Sequence, residues 1–289
     1  MGKRITGYFN WGKRSRLHDM GVLAQLVADM KAQAIDHVAM TGDILNLGLK
    51  AEFPFAEAWL RSLGEPRDVS FVPGNHDAYT RSAMKPLATV FLPWLADTPG
   101  EVAEGHAPHF PYMRRREGIA LIGLSSALPT APFLASGALG TRQRHATGPM
   151  LDAAKRDGLA RVVLIHHPPY GEGATPGRGL RDHRGFAKLI AAHGAELVIH
   201  GHNHRPMLGH LAGPDGLVPV VGVASASAIP GSPDHRAAYH LFGFERDERG
   251  GWSVTGRRRG LLPDLSGIGD LGAFTLDRPN LDPEPIEGR

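Results

Sequence analysis

The sequence contains no cysteine among its 289 residues. This absence excludes disulfide bonds and metal sites built from thiolates, and it agrees with a cytoplasmic location. No apolar run approaches the roughly 20 residues of a membrane span, and the amino-terminal segment lacks the apolar core of a signal peptide. We therefore expect a cytoplasmic protein that has no membrane partner.

Strong charge is also lacking, since the formal net charge is only +3. A value this small does not argue for a nucleic-acid partner, and we predict none. Two short basic clusters, Arg114–Arg116 and Arg257–Arg259, lie beside predicted strands. We interpret both clusters as solvated strand edges.

Helical and strand patterns alternate along most of the chain. Leu23, Leu26 and Met30 recur at helical spacing, and short apolar runs such as 161–165 and 197–200 are typical of buried strands. The alternation predicts a layered α/β domain, with parallel strands at its centre. Later antiparallel strands are predicted over residues 217–223, 238–245 and 252–258.

The composition changes after Gly260, where proline, glycine and aspartate become frequent and periodicity stops. We predict a single domain over residues 1–260 and an irregular tail over residues 261–289.

Polar residues that can bind metal follow four of the predicted strands. Ligands gather outside the carboxyl ends of strands in open α/β sheets, so these residues should meet at one edge. Each segment alone would be an ordinary turn, but together they predict a metal site. Carboxylate and amide oxygens combined with imidazole nitrogens suit Mn²⁺, Fe²⁺ or Zn²⁺ better than Ca²⁺. The four segments are Thr41-Gly42-Asp43, Asn75-His76-Asp77, His166-His167 and His202-Asn203-His204.

The combination of these motifs resembles the calcineurin-like metallophosphoesterases, and the resemblance covers most of residues 36–245. It implies an α-β-β-α sandwich of mixed sheets and a metal-dependent phosphoesterase. The stretch Gly42–Asn46 is similar to the small bacterial members that act on cyclic nucleotides and glycerophosphodiesters. This likeness implies hydrolysis of a small phosphodiester by a metal-bound hydroxide. The motifs that carry the resemblance are Gly42-Asp43, Gly74-Asn75-His76-Asp77, His166-His167-Pro168-Pro169 and Gly201-His202-Asn203-His204.

The resemblance also implies a role for each site residue. Asp43 would bridge two divalent ions, and His204 would bind the second of them. His76 would stabilise or protonate the leaving oxygen. Supporting or substrate-contacting roles fall to Asp77, His167 and Asn46, although the sequence alone does not choose between His166 and His167 as the ligand. The ligands that would complete the first site are Asn75, His166 and His202.

The sequence departs from the family at its first motif, because it contains no Asp-x-His. His18 and Asp19 stand in the opposite order before a predicted helix. We therefore expect the first strand of the family fold to be missing and the second metal site to be weak or empty. An incomplete sequence is the explanation we favour; use of a single metal and loss of catalysis remain alternatives. A non-catalytic scaffold or binding protein is thus the second functional hypothesis, and a homo-oligomer stays open.

Overall fold

A computed structural model describes residues 18–95, 110–229, 235–248 and 250–276. Helices and strands alternate over most of the described residues between 20 and 200, as the sequence predicts. The described helices are α1 (Met20–Lys31), α2 (Phe53–Leu63), α3 (Arg81–Val90), α4 (Gly140–Arg156) and α5 (His183–His193). Among the described residues, no helix is long and apolar enough to cross a membrane.

Eleven strands are described, and they form three sheets. The first strands are β1 (Val38–Met40), β2 (Val69–Phe71), β3 (Tyr112–Arg116), β4 (Ile119–Gly123), β5 (Ala160–Leu164) and β6 (Leu197–His200). The later strands are β7 (Met207–Gly213), β8 (Gly216–Gly222), β9 (Ala238–Arg246), β10 (Trp252–Leu261) and β11 (Ile268–Thr275).

The largest sheet has six strands in the order β3-β4-β5-β6-β8-β7. Its inner pairs β4–β5, β5–β6 and β6–β8 are parallel, and its two outer pairs are antiparallel. Strands β1 and β2 form a parallel pair, while β9, β10 and β11 form an antiparallel sheet. Parallel strands have their carboxyl ends at the same edge of a sheet. This holds for the pair β1–β2 and for the pair β5–β6, so polar residues that follow these strands can lie close together.

The core lies on both faces of the six-stranded sheet. One face packs against α4 and α5, where Leu151 and Phe186 are fully buried. The other face shares a core with the two smaller sheets and with α1 and α2, where Leu26 and Leu60 are buried. Helices therefore flank two sheet layers, and the predicted α-β-β-α sandwich is confirmed.

The prediction of an irregular tail needs correction. Strand β11 lies inside the segment 261–289 that we expected to be irregular, and it pairs with β10 from Thr255 to Leu261. The tail prediction is therefore wrong for residues 268–275; residues 277–289 lie outside the described residues. The predicted loss of the first strand concerns residues 1–17, which also lie outside them.

The basic clusters are not simply solvated edges. The side chain of Arg114 is fully buried and donates hydrogen bonds to the backbone carbonyls of Pro66, Val69 and Pro93. Arg259 binds Asp29 of α1 through Nε at 2.8 Å and Nη2 at 2.7 Å. These two guanidinium groups join segments that are distant in sequence.

Asp29 ties α1 to the antiparallel sheet. Its carboxylate accepts hydrogen bonds from Arg259 and, at 2.6 Å, from the hydroxyl of Tyr239. The hydrogen bonds from Arg259 lower the pKa of Asp29, although burial opposes this shift. A carboxyl group whose pKa is lower in the folded state contributes stability above its unfolded pKa and loses it as the pH falls.

We expect Asp29→Asn to lower the free energy of unfolding by about 1–3 kcal/mol at pH 7, because charge-assisted hydrogen bonds are lost. The matched control is Asp270→Asn in the exposed pair Arg257–Asp270 of the same sheet, where solvent screening leaves a much smaller effect than at Asp29. Urea unfolding measures both. The difference between the variants should shrink below about pH 4, where carboxyl groups protonate; equal effects at pH 7 would contradict this account.

Candidate metal centre

The carboxylate of Asp77 joins the two loops that follow β1 and β2. It is fully buried and accepts hydrogen bonds from the backbone N–H groups of Gly74 at 2.8 Å, Asp43 at 2.7 Å and Leu45 at 2.8 Å. The loops approach so closely that a Cβ atom on Gly74 would lie 2.1 Å from Oδ1 of Asp43. Asp77 therefore fixes the position from which Asp43 and Asn75 reach into the site.

The ends of β5 and β6 bring two imidazoles to the same place. His166 Nε2 lies 3.2 Å from Asn75 Oδ1 and 3.3 Å from Asp43 Oδ2. His202 Nδ1 lies 2.9 Å from Asn75 Oδ1 and 3.2 Å from His166 Nε2. Four side chains from four strand ends thus converge at one edge of the sheets.

The convergent atoms have the chemistry of a cation site. An amide oxygen, a carboxylate oxygen and two imidazole nitrogens face one another, and the protons that the two rings can supply are too few to satisfy every lone pair. Ligands bound to one transition-metal ion at 2.0–2.2 Å are separated by about 2.8–3.6 Å. The observed separations of 2.9–3.3 Å fall in this range, so the residues fit a divalent metal.

Hydrogen bonds distinguish His166 from His167. His166 Nδ1 lies 2.6 Å from the carbonyl oxygen of Thr41, so Nδ1–H donates there and Nε2 faces the cluster. His167 Nε2 donates to the carbonyl oxygen of Ala135 at 3.0 Å, and Nδ1 accepts from the hydroxyl of Ser126 at 2.7 Å. Although the ligand atoms of His166, His167 and His202 all lie within 4.8 Å of one another, both nitrogens of His167 are already engaged.

Burial and neighbouring charges shift the pKa values of the clustered side chains. Burial alone would raise the pKa of Asp43, but the neighbouring His166 and His76 rings hold it well below its usual value. Burial, followed by the charge of His166, lowers the pKa of His202 to about 2 and that of His167 to about 3. The carboxylate of Asp43 is therefore ionised and the His202 imidazole is neutral at neutral pH, as metal ligands must be. Burial opposes protonation of His166, but the charge of Asp43 and the hydrogen bonds to Asp43 and Thr41 raise its pKa overall, so a metal ion that binds Nε2 competes with a proton there.

Two ligands of the cluster, and the nearby His204, have a strained backbone. Asp43, His202 and His204 have φ angles of +63°, +70° and +54°. Residues other than glycine rarely adopt this left-handed conformation, and such strain is typical of functional sites.

The pKa of Asp77 is also shifted. Burial, followed by the charge of Asp43, raises it to about 6.

His76 lies beside the cluster without joining it. Its backbone N–H donates to Oδ1 of Asp43 at 2.9 Å, and its ring Nδ1 donates to the carbonyl oxygen of Asn46 at 2.7 Å. The ring of Tyr79 stacks on His76 with centroids 5.8 Å apart. Asn46 thus acts through its backbone in this structure, where it orients the His76 ring.

His204 makes no hydrogen bond or ion pair with the other candidate ligands within the described part of the chain. Burial lowers its pKa to about 4, and the charge of Asp43 opposes this shift, so His204 and Asp43 interact electrostatically. The His204 ring also contacts His18, at a centroid distance of 6.4 Å. His18 is fixed by a hydrogen bond between its Nδ1 and the hydroxyl of Ser227 at 2.8 Å. Asp19 accepts hydrogen bonds from Gly21 and Val22 at the start of α1 instead of facing the cluster.

The sequence predicts no specific role for three supporting residues: Thr41, Tyr79 and Ser126. The contact between Ser126 and His167 joins residues 41 positions apart, and no local pattern signals it. Thr41 acts through its backbone carbonyl, which any residue could supply. Tyr79 lies two positions after the Asn75-His76-Asp77 motif, and this closeness in sequence is a local signal that the other two residues' contacts lack.

Comparison with known proteins agrees with this geometry. The sequence profile described as calcineurin-like phosphoesterase matches residues 17–206. The chain belongs to the calcineurin-like phosphoesterase family. A search of curated proteins gives no match. Among solved structures, the chain is similar to a dimetal phosphatase from Danio rerio, with 14% identity and a TM-score of 0.60 over 89% of this chain and 88% of that one.

Family membership makes the chain a metal-dependent phosphoesterase of the calcineurin-like type. At 14% identity, the likeness to the fish phosphatase supports the fold alone. The profile includes Asp43, Asn75, His166 and His202, so the family match and the observed cluster concern the same part of the chain.

We expect His166→Gln to abolish Mn²⁺ binding at micromolar concentrations, since a ligand nitrogen is removed. His167→Gln should weaken binding by no more than about 10–100-fold, the usual cost of losing a residue that only supports a ligand. Isothermal titration calorimetry measures both, with circular dichroism as the folding control. The reverse order of the two effects would show that His167 is the ligand.

Proposed function

We propose that this calcineurin-like phosphoesterase hydrolyses small phosphodiesters. The convergence of Asp43, Asn75, His166 and His202 beside the ring of His76 supports the proposal most strongly. These four side chains would hold a first divalent ion, and His204 would contribute to a second with Asp43. When bound, such ions supply positive charge to phosphoryl oxygens and lower the pKa of water.

His76 is the proposed acid at the leaving oxygen. Its Nδ1–H is engaged by the carbonyl of Asn46, so a protonated ring would donate from Nε2. The stacked ring of Tyr79 and the backbone hydrogen bond to Asp43 restrict movement of His76. A general acid held in this way loses little further conformational entropy when it is oriented for proton transfer.

A diester is favoured over a monoester on grounds of charge. Among the described residues, no arginine or lysine side chain hydrogen-bonds to Asp43, Asn75, His76, His166 or His202. A monoester dianion carries more charge than a diester and calls for additional cationic groups. The donor set suits Mn²⁺, Fe²⁺ or Zn²⁺, and the nature of the metal is part of the proposal.

A scaffold or binding protein on the same fold is the second candidate. The lack of an Asp-x-His motif in this sequence favours it, because a second ion would then be bound by few protein groups.

Turnover separates the two candidates. We expect Mn²⁺-loaded protein to hydrolyse bis(4-nitrophenyl) phosphate faster than 4-nitrophenyl phosphate, with loss in chelator and recovery on adding metal. His76→Gln should lower kcat by about 10²–10⁴-fold while leaving metal content unchanged. His145→Ala, on an exposed position of α4, is the control.

Each adverse outcome has a definite meaning. A folded, metal-loaded protein with no turnover on either ester would favour the scaffold. A preference for the monoester would overturn the diester assignment, and full activity in His76→Gln would remove His76 from the mechanism.

A further inference from the structure

The carboxylate of Glu52 turns away from the helix that it precedes. Glu52 stands directly before α2, at the position whose side chain commonly accepts a hydrogen bond from the first turn of a helix, yet it accepts none from the described N–H groups of that turn. Its carboxylate instead accepts hydrogen bonds from the backbone N–H groups of Asn46, at 2.7 Å, and of Leu47, at 3.1 and 3.3 Å. Capping of α2 therefore does not account for the orientation of this side chain.

The peptide group between Asn46 and Leu47 is hydrogen-bonded at both of its polar atoms. Its N–H belongs to Leu47 and donates to Glu52, while its carbonyl oxygen belongs to Asn46 and accepts from Nδ1–H of His76 at 2.7 Å. Because a peptide group is planar, fixing the direction of its N–H also fixes the direction of its carbonyl. The Glu52 carboxylate, the peptide group and the His76 imidazole thus form one continuous chain of hydrogen bonds.

The carboxylate strengthens this chain. Hydrogen bonds to an ionised acceptor are about twice as strong as those between neutral groups. A hydrogen bond at one end of a peptide group also polarises the group, which strengthens the hydrogen bond at its other end. Glu52 therefore makes the carbonyl oxygen of Asn46 a better acceptor for the Nδ1 proton of His76.

The loop that carries this peptide group also packs closely against the start of α3. A Cβ atom on Gly48 would lie 2.8 Å from Cβ of Ala83 and 3.6 Å from Cβ of Tyr79. The φ angle of Gly48 is +60°, so glycine fits this close approach where other residues would be strained. Since the ring of Tyr79 stacks on His76, the loop and the His76 ring share a neighbour and form one packed unit.

We propose that Glu52 is a positioning residue for His76 and acts through the peptide group between Asn46 and Leu47. The inference rests on the proposed function, because the position of the ring matters only if His76 donates a proton to the leaving oxygen. Glu52 contacts neither the metal ions nor the substrate in this proposal. It keeps Nδ1–H bound to Asn46, so that the ring holds one orientation and Nε2 serves as the proton donor.

The Nδ1 proton of His76 reports this link without any turnover. In protein loaded with diamagnetic Zn²⁺, a proton held in such a hydrogen bond gives a downfield nuclear magnetic resonance signal that exchanges slowly with water. The signal should be absent in His76→Gln, which assigns it, and should move upfield or broaden by exchange in Glu52→Gln. An unchanged signal in Glu52→Gln would overturn the proposal.

Glu57→Gln is the matched control. Glu57 also lies on α2, and its carboxylate pairs with Arg61 in an exposed ion pair. The substitution removes the same charge from the same helix and should leave the Nδ1 signal and the kinetics unchanged.

Kinetics tests whether the link serves catalysis. Glu52→Gln should lower kcat on bis(4-nitrophenyl) phosphate by about 10–100-fold and leave KM and metal content unchanged, because a slightly misplaced donor slows the reaction more than it weakens binding. In the His76→Gln background the same substitution should change kcat by less than about twofold, because no ring remains to be positioned. Equal losses in the two backgrounds, or loss of bound metal, would show a general structural role and overturn the proposal.

The remaining outcomes are distinguishable. Circular dichroism checks folding, and Glu52→Asp, whose shorter side chain cannot reach both N–H groups, takes the place of Glu52→Gln if that variant does not fold. Failure of both variants to fold would assign Glu52 to folding and overturn the proposal. Absence of turnover in the unsubstituted protein would refute the proposed function, while the Nδ1 signal would still show whether Glu52 holds the ring.

Discussion

Four lone-pair-bearing atoms crowd together where the strand ends meet, and this crowding constrains the rest of the structure. Asp43 Oδ2, Asn75 Oδ1, His166 Nε2 and His202 Nδ1 are separated by only 2.9–3.3 Å where they are in direct contact. Groups of this kind repel one another unless positive charge lies between them, either as a proton on His166 or as a bound cation. Their convergence is therefore imposed by the surrounding fold, and a bound cation would stabilise it.

The fold imposes this arrangement through buried polar contacts. Asp77 fixes the loops after β1 and β2, and the carbonyl of Thr41 turns the His166 ring toward the other ligands. The left-handed backbone at Asp43 and His202 is strained, and it persists because these contacts over-determine it. The same logic extends outward, since Ser126 and Ala135 hold His167 against His202 and connect the loop that follows β4 to the centre.

Much of this could be predicted from the sequence, because strand ends follow from local patterns. Parallel strands place Asp43, Asn75, His166 and His202 at one edge once each is recognised after an apolar run. The burial of Arg114 could not be predicted from local patterns, because it depends on carbonyl groups more than 20 residues away in sequence. Strand β11 contains glycine and aspartate and lacks an apolar period, so its pairing with β10 defines it. Long-range contacts of these two kinds leave no local signal.

Anomalous diffraction from crystals grown with Mn²⁺ tests the central claim most directly. The account predicts a manganese peak at about 2.0–2.3 Å from Asn75 Oδ1, His166 Nε2 and His202 Nδ1, with the carboxylate of Asp43 completing the site. Well-ordered crystals in which these side chains point apart, or in which manganese binds elsewhere, would contradict it.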